Sequence, residues 1–113
     1  MKQGIGLLVY PVKDIARAKA VFTQLLGAEP YVDQPYYVGY RVGDQEIGLD
    51  PNGGSAGAGP IGYREVGDIE RSLKELIGAG AEPLQDVKAV GGGMRIALVK
   101  DGNGNVLGLR QSA

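Results

Sequence analysis

Apolar residues recur with the spacing of an α-helix in two segments, residues 12–30 (VKDIARAKAVFTQLLGAEP) and 66–83 (VGDIERSLKELIGAGAEP). An aspartate, Asp14 or Asp68, stands directly before each helical pattern, where its side chain can accept a hydrogen bond from the first backbone amides. A glycine follows each helical pattern, and each segment ends in Ala-Glu-Pro. The two segments therefore predict two helices of similar design.

Short runs with period-two alternation surround each predicted helix and indicate β-strands. One strand precedes each helix and three follow it, so each half of the chain has the order β-α-β-β-β. The predicted strands are 5–12, 31–33, 36–42 and 45–50 in the first half, and 61–66, 85–90, 94–100 and 105–110 in the second. A unit of about 54 residues that occurs twice predicts a pseudo-twofold structure.

The chain has 113 residues, which is enough for one domain with its own core. We expect a single domain over residues 1–113, with a first module at about 1–51 and a second at about 61–113. The stretch between them, NGGSAGAGP at 52–60, consists of small residues and is predicted to be a linker.

The charge balance is nearly neutral, with 12 Lys and Arg against 13 Asp and Glu and a net charge of −1. Neither a nucleic-acid surface nor a polybasic membrane-binding segment is predicted. No apolar run reaches the roughly 20 residues that a membrane-spanning helix needs. We therefore expect a cytoplasmic protein without nucleic-acid or membrane partners.

The sequence contains neither histidine nor cysteine. This composition removes the commonest general base and the commonest ligands of zinc, iron and copper. Any metal ion would have to be held by carboxylates, carbonyl groups and water, which favours magnesium, manganese or calcium.

Two βαβββ modules, the VKDI and VGDI helix starts, the two Ala-Glu-Pro exits and the DGNGN turn at 101–105 together resemble the vicinal oxygen chelate superfamily. Glyoxalase I, the bleomycin-resistance proteins and the extradiol dioxygenases belong to it. The resemblance covers nearly the whole chain. It implies an α+β fold in which two modules form a cupped mixed sheet around a small ligand, and it implies a homodimer.

In the metal-dependent members of that superfamily, ligands stand at four symmetry-related positions, which the resemblance carries onto Leu7, Gly48, Ile61 and Gly108. None of these side chains has a donor atom for a metal ion. The resemblance thus implies a small-molecule binder without metal or cofactor, similar to the bleomycin-resistance branch, and leaves open whether it is an enzyme. The two glycines are expected to leave space on an apolar floor, although strand glycines also mark bends.

Alternation along the strands extends the predicted ligand-facing surface from those four positions. Tyrosine offers a stacking face and a hydroxyl, which suits a small hydrophobic or aromatic ligand. The carboxylates and the arginine could instead pair with one another at the rim. The predicted ligand-binding residues are Leu7, Val9, Tyr36, Tyr40, Glu46, Gly48, Ile61, Tyr63, Glu65, Gly108 and Arg110.

Other functions remain open at this stage. A metal-dependent lyase or dioxygenase could hold magnesium or manganese through carboxylates such as Glu46 and Glu65 and polarise a substrate oxygen. A metal-free enzyme could use Glu65 or a tyrosine as general base. A structural or regulatory module could keep the fold without any chemistry, since a fold does not fix a function.

Overall fold

The structure of the protein is a computed structural model that describes residues 4–52 and 59–113. Most of the predicted linker, residues 53–58, lies outside the described residues. The chain forms two compact units, Gly6–Ile61 and Gly62–Ala113, and Gly4 and Ile5 belong to the second. Within the described residues, two helices and eight strands follow one another as β-α-β-β-β, twice. The predicted α+β class with two βαβββ modules is confirmed.

The two modules share one topology. In each, the strand before the helix pairs in parallel with the last strand, and the other pairs are antiparallel. Module 1 consists of β1 (Leu7–Pro11), α1 (Ile15–Leu26), β2 (Val32–Gln34), β3 (Tyr37–Val42) and β4 (Gln45–Asp50). Module 2 consists of β5 (Ile61–Glu65), α2 (Ile69–Gly78), β6 (Glu82–Ala89), β7 (Arg95–Lys100) and β8 (Val106–Gln111). The strand orders are β2-β3-β4-β1 and β6-β7-β8-β5.

Both helices begin as the sequence predicts. The carboxylates of Asp14 and Asp68 accept hydrogen bonds from the backbone N–H three residues ahead, at 3.0 and 3.1 Å. Helix α1 ends at a left-handed glycine, Gly27, whose N–H binds the carbonyl of Thr23. Helix α2 ends at Gly78 with a right-handed cap. Neither helix is long and apolar enough to span a membrane in the part of the chain that the structure describes.

Each helix packs on one face of the sheet of its own module, and alternation sends every second strand residue to the opposite face, here called the distal face. This division positions the candidate site. In module 1 the helix side holds Val38, Tyr40, Ile47 and Leu49 against Ile15, Ala18, Phe22 and Leu26 of α1. In module 2 it holds Ala97, Val99 and Leu109 with Val66, Ile69 and Leu73.

Tyr40 belongs to the helix side of module 1 and not to the predicted ligand-facing surface. Its side chain is 0% exposed. The hydroxyl of Tyr40 donates to the carbonyl of Lys19 at 2.9 Å and lies 2.8 Å from Oγ1 of Thr23. The prediction was wrong because the register pairs Tyr40 with Ile47 of the helix side, so that Tyr37 and not Tyr40 points to the distal face.

Replacing Tyr40 by phenylalanine should lower the free energy of unfolding by about 0.5–1.5 kcal/mol, because the Lys19 carbonyl and the Thr23 hydroxyl lose a partner at a partly buried contact. Tyr36→Phe is the matched control, since Tyr36 is 66% exposed and its change should stay within about 0.5 kcal/mol. Urea denaturation of both variants checks this. Equal stability of the two variants would show that the Tyr40 hydroxyl does not tie β3 to α1.

The turn between β7 and β8 is built on Asp101. One carboxylate oxygen accepts the backbone N–H groups of Asn103 and Asn105 at 2.7 and 3.1 Å, and the other accepts Nδ2 of Asn105 at 2.7 Å. The side-chain hydrogen bond from Asn105, followed by the N–H of Asn103, lowers the pKa of Asp101 below its usual value. A lowered pKa in the folded state means that this turn stabilises the fold at neutral pH and loses that contribution as the pH falls through the folded pKa.

Asn105→Ala should raise the pKa of Asp101 toward its ordinary value because the strongest donor to the carboxylate is lost. Asn103→Ala should change it less, since Asn103 donates chiefly through its backbone N–H. A carboxyl-carbon NMR titration of the two variants and the parent measures the difference. An unchanged pKa in Asn105→Ala would contradict the assignment.

Candidate functional site

One row of residues crosses the distal face of module 2. Gln85 pairs with Leu98, Leu98 with Gly108, and Gly108 with Tyr63. Residues that face each other on neighbouring strands point to the same side of a sheet, so Leu98, Gly108 and Tyr63 form a continuous strip. Gln85 adjoins this strip through its backbone pairing with Leu98, and the register of β6 shifts on both sides of Gln85. Leu98 and Tyr63 are both buried. The strip is therefore apolar.

The ring of Tyr63 lies directly over Gly108. A Cβ atom added to Gly108 would lie 2.5 Å from Cε2 and 2.8 Å from Cγ of Tyr63, which is closer than real side chains approach each other. The φ angle of Gly108 is not positive. The glycine is needed here for the close approach of a ring and not for an unusual backbone conformation.

Module 1 repeats this arrangement with a different tyrosine. A Cβ atom on Gly48 would lie 2.7 Å from Cζ and 3.0 Å from Cε1 of Tyr37. Gly39, which pairs with Gly48, lies under the same ring, because a Cβ there would lie 3.2 Å from Cε2 of Tyr37. The expectation that Gly48 and Gly108 leave open space is wrong, since an aromatic ring covers each of them.

Glu65 and Arg110 bind each other on the distal face of module 2. The two residues are paired across β5 and β8, and Nε of Arg110 donates to the carboxylate of Glu65 at 3.0 Å. Ser112 adds its backbone N–H at 2.7 Å and its hydroxyl at 2.9 Å. This carboxylate is thus engaged by three donors, as the pairing alternative anticipated.

Glu46 belongs to a cluster on the distal face of module 1. The hydroxyl of Tyr31 donates to the carboxylate of Glu46 at 2.7 Å. The guanidinium carbon of Arg41 lies 4.2 Å from the centroid of the Tyr31 ring, a cation–π contact. Nη2 of Arg41 is 3.9 Å from Glu46, which is an ion-pair distance and too long for a hydrogen bond.

Gln85 has an unusual amide. Its Nε2 atom is buried and has no hydrogen-bond partner among the described residues. A buried donor without a partner costs about 1–3 kcal/mol. A native protein normally satisfies such groups, so an unpaired one calls for an explanation.

The sequence profile of the glyoxalase/bleomycin resistance protein/dioxygenase superfamily matches residues 4–109. The chain belongs to this superfamily. No curated protein matches the sequence. Family membership agrees with the βαβββ repeat and with the helix starts and turns that the sequence analysis singled out.

Solved structures support the superfamily fold at low sequence identity. A superfamily member from Vibrio splendidus has a TM-score of 0.68 at 18% identity, with 95% of this chain and 97% of that chain covered. Methylmalonyl-CoA epimerase from Mycobacterium tuberculosis has a TM-score of 0.71 at 15% identity, with 100% and 93% covered. A chain described as NAD-dependent benzaldehyde dehydrogenase from Legionella pneumophila gives 0.79 at 14% identity, with 95% and 98% covered. These likenesses show the fold alone.

The four positions to which the resemblance carried metal ligands lie in four different strands. Leu7 lies in β1, Gly48 in β4, Ile61 in β5 and Gly108 in β8, all at distal positions by alternation. None carries a donor atom. Within residues 4–52 and 59–113, no three histidine, cysteine, aspartate or glutamate side chains cluster as metal ligands would. The side chains at these four positions do not fit a metal ion.

Several residues of the distal faces were not predicted from the sequence. Val9 takes its predicted place, paired with Gly48, whereas Tyr36 stands before β3 and is exposed. The sequence offers one signal for a ring over a glycine, because Gly39 stands two residues after Tyr37. The structure pairs Gly39 with Gly48. The missed residues are Tyr31, Tyr37, Gly39, Arg41, Gln85 and Ser112.

Gly108→Ala should destabilise the protein by about 1–3 kcal/mol, because the new methyl group collides with Cγ of Tyr63, the fixed root of a buried ring. Gly48→Ala should cost less, since its methyl group meets the phenol end of a partly exposed tyrosine, which can swing aside. Chemical denaturation of the two variants ranks these costs.

The double variant Tyr63→Ala/Gly108→Ala provides the control for the collision. Removing the ring should make the second methyl group nearly harmless, with a coupling between the two changes of about 0.5–3 kcal/mol. Strict additivity of the two single changes would contradict the account of Gly108.

Proposed function

We propose that this protein binds a small, planar apolar or aromatic molecule on the distal faces of its sheets, without a metal ion at the positions that hold one in metal-dependent relatives. The proposal follows the bleomycin-resistance type of the superfamily more closely than its metal enzymes. As the sequence suggests, we further propose that the protein acts as a cytoplasmic homodimer.

The observation that carries the proposal is the strip across module 2. Ligand sites are mostly apolar surfaces with a few polar groups that fix orientation. The strip supplies the apolar part with Tyr63 and Leu98, and we propose that the unpaired Nε2 of Gln85, the residue paired with Leu98, supplies the polar group. A ligand carbonyl or other acceptor that reaches this amide would relieve the cost of leaving it unpaired.

The alternative, a metal-dependent lyase or dioxygenase that uses Glu46 and Glu65, fits the contacts less well. Glu65 already accepts from Arg110 and Ser112, and Glu46 from Tyr31. A metal ion would have to displace these donors from both carboxylates. Hard divalent ions also take six or more oxygen ligands, and two carboxylates supply few of them.

Thermal unfolding of chelator-treated protein separates the two functions. The probe is 2-naphthamide, a planar neutral aromatic with one carbonyl acceptor, and the competing additions are MgCl₂ and MnCl₂. We expect a saturable rise in Tm with the probe and none with the ions, because a ligand at 100 times its Kd adds about 2.7 kcal/mol to stability. A saturable rise with either ion that Glu46→Gln or Glu65→Gln abolishes would establish the metal-dependent alternative instead.

Gln85→Leu sharpens this test because its two effects should have opposite signs. The variant removes a buried unpaired amide and should raise the stability of the free protein by about 1–3 kcal/mol. It should also weaken binding of 2-naphthamide, measured by calorimetry. Loss of stability together with unchanged affinity would refute the role of Gln85. Gln24→Leu, a change on the exposed surface of α1, is the control for effects of the substitution itself.

A further inference from the structure

The distal face of module 1 ends in an arginine that is held over an aromatic ring. Arg41 follows Tyr37 and Gly39 on the same face of β3, and its guanidinium group lies 4.2 Å from the centroid of Tyr31. The ring of Tyr31 is itself anchored, because its hydroxyl donates to Glu46 at 2.7 Å. The arginine is thus positioned through a ring and a carboxylate rather than extended freely into solvent.

The two tyrosines flank one glycine. A Cβ atom on Gly39 would lie 3.2 Å from Cε2 of Tyr37 and 3.4 Å from Cε1 of Tyr31. The two rings therefore approach each other over the backbone of Gly39, beside Cβ of Val32. Two neighbouring rings provide a surface on which a planar group can lie in contact with both.

The guanidinium group retains most of its hydrogen-bonding capacity. Its contact with Glu46 is a 3.9 Å approach of Nη2 alone, whereas a guanidinium group carries five N–H donors. The side chain of Arg41 is 60% exposed. A guanidinium group that is already oriented by stacking binds a carboxylate in a two-pronged geometry with little further loss of freedom.

From this geometry we infer that Arg41 selects ligands that carry a carboxylate on a planar aromatic group, with the ring against Tyr31 and Tyr37 and the carboxylate on the guanidinium group. The inference rests on the proposed function and adds the charge of the ligand to it. It sets this protein apart from a binder of cationic drugs, because the most available charged group on this face is positive.

The test compares 2-naphthoate with 2-naphthamide, which share one ring system and differ in charge, by calorimetry at pH 7 with the full-length protein. The parent protein should bind the acid at least tenfold more tightly than the amide. Arg41→Gln should abolish this preference and leave amide binding unchanged, and Arg41→Lys should restore only part of it, since an ammonium group lacks the planar fork. Arg64→Gln, which removes an exposed arginine of β5, should leave both affinities as they are.

Each outcome separates this inference from the proposed function. If acid and amide bind equally, or if the preference for the acid survives in Arg41→Gln, the inference is overturned while ligand binding stands. If neither compound binds to the parent protein, the inference and the proposed ligand class both fail. Tyr31→Phe keeps the ring under Arg41 but loses the bond to Glu46, and it should weaken acid binding less than Arg41→Gln does.

Discussion

The contact between an aromatic ring and the bare backbone of a strand glycine organises both modules. Tyr63 lies over Gly108, and Tyr37 lies over Gly48 and Gly39. A glycine in a strand weakens it, because it has no side chain to pack and loses more freedom on folding than other residues. A ring that lies across the glycine replaces the missing packing. The distal faces keep their shape only while these positions remain glycine, because a Cβ atom there would collide with the ring.

The other face of each sheet answers a different requirement. There the helix covers the apolar residues, and the hydroxyl of the fully buried Tyr40 is satisfied by Lys19 and Thr23 of α1. The buried Nε2 of Gln85 in β6 has no hydrogen-bond partner among the described residues. A satisfied hydroxyl is typical of a packed core, whereas an unpaired amide is what we propose a ligand to satisfy.

The modules share a backbone plan and differ in their charges. In module 2, the carboxylate of Glu65 is hydrogen-bonded to Arg110 and Ser112, so that the arginine neutralises its charge locally. In module 1, Glu46 instead accepts a hydrogen bond from Tyr31, and the guanidinium group of Arg41 lies over the ring of Tyr31. Duplication thus left two equivalent frameworks, on which different side chains produced an apolar strip and an aromatic surface with an exposed cation.

The repeat, the order of the elements and the places where both helices start could be predicted from the sequence. These features depend on neighbours close along the chain: a capping aspartate, an apolar period of 3.6 or 2, and glycine at a turn. Family membership followed from the same features. The lack of donor atoms at Leu7, Gly48, Ile61 and Gly108 could likewise be seen in the sequence, because it is a property of the residue type.

Which tyrosine lies over which glycine, and which face Tyr40 takes, depend on the tertiary structure. A shift of one residue in the pairing register of β3 exchanges the two faces of the strand, and that register is set by the pairing with β2 and β4 rather than by composition. The partners of Glu46 and Glu65 come from other strands or from residues just outside a strand. Such contacts join residues 15 to 47 positions apart for the two carboxylates, and no local pattern encodes them.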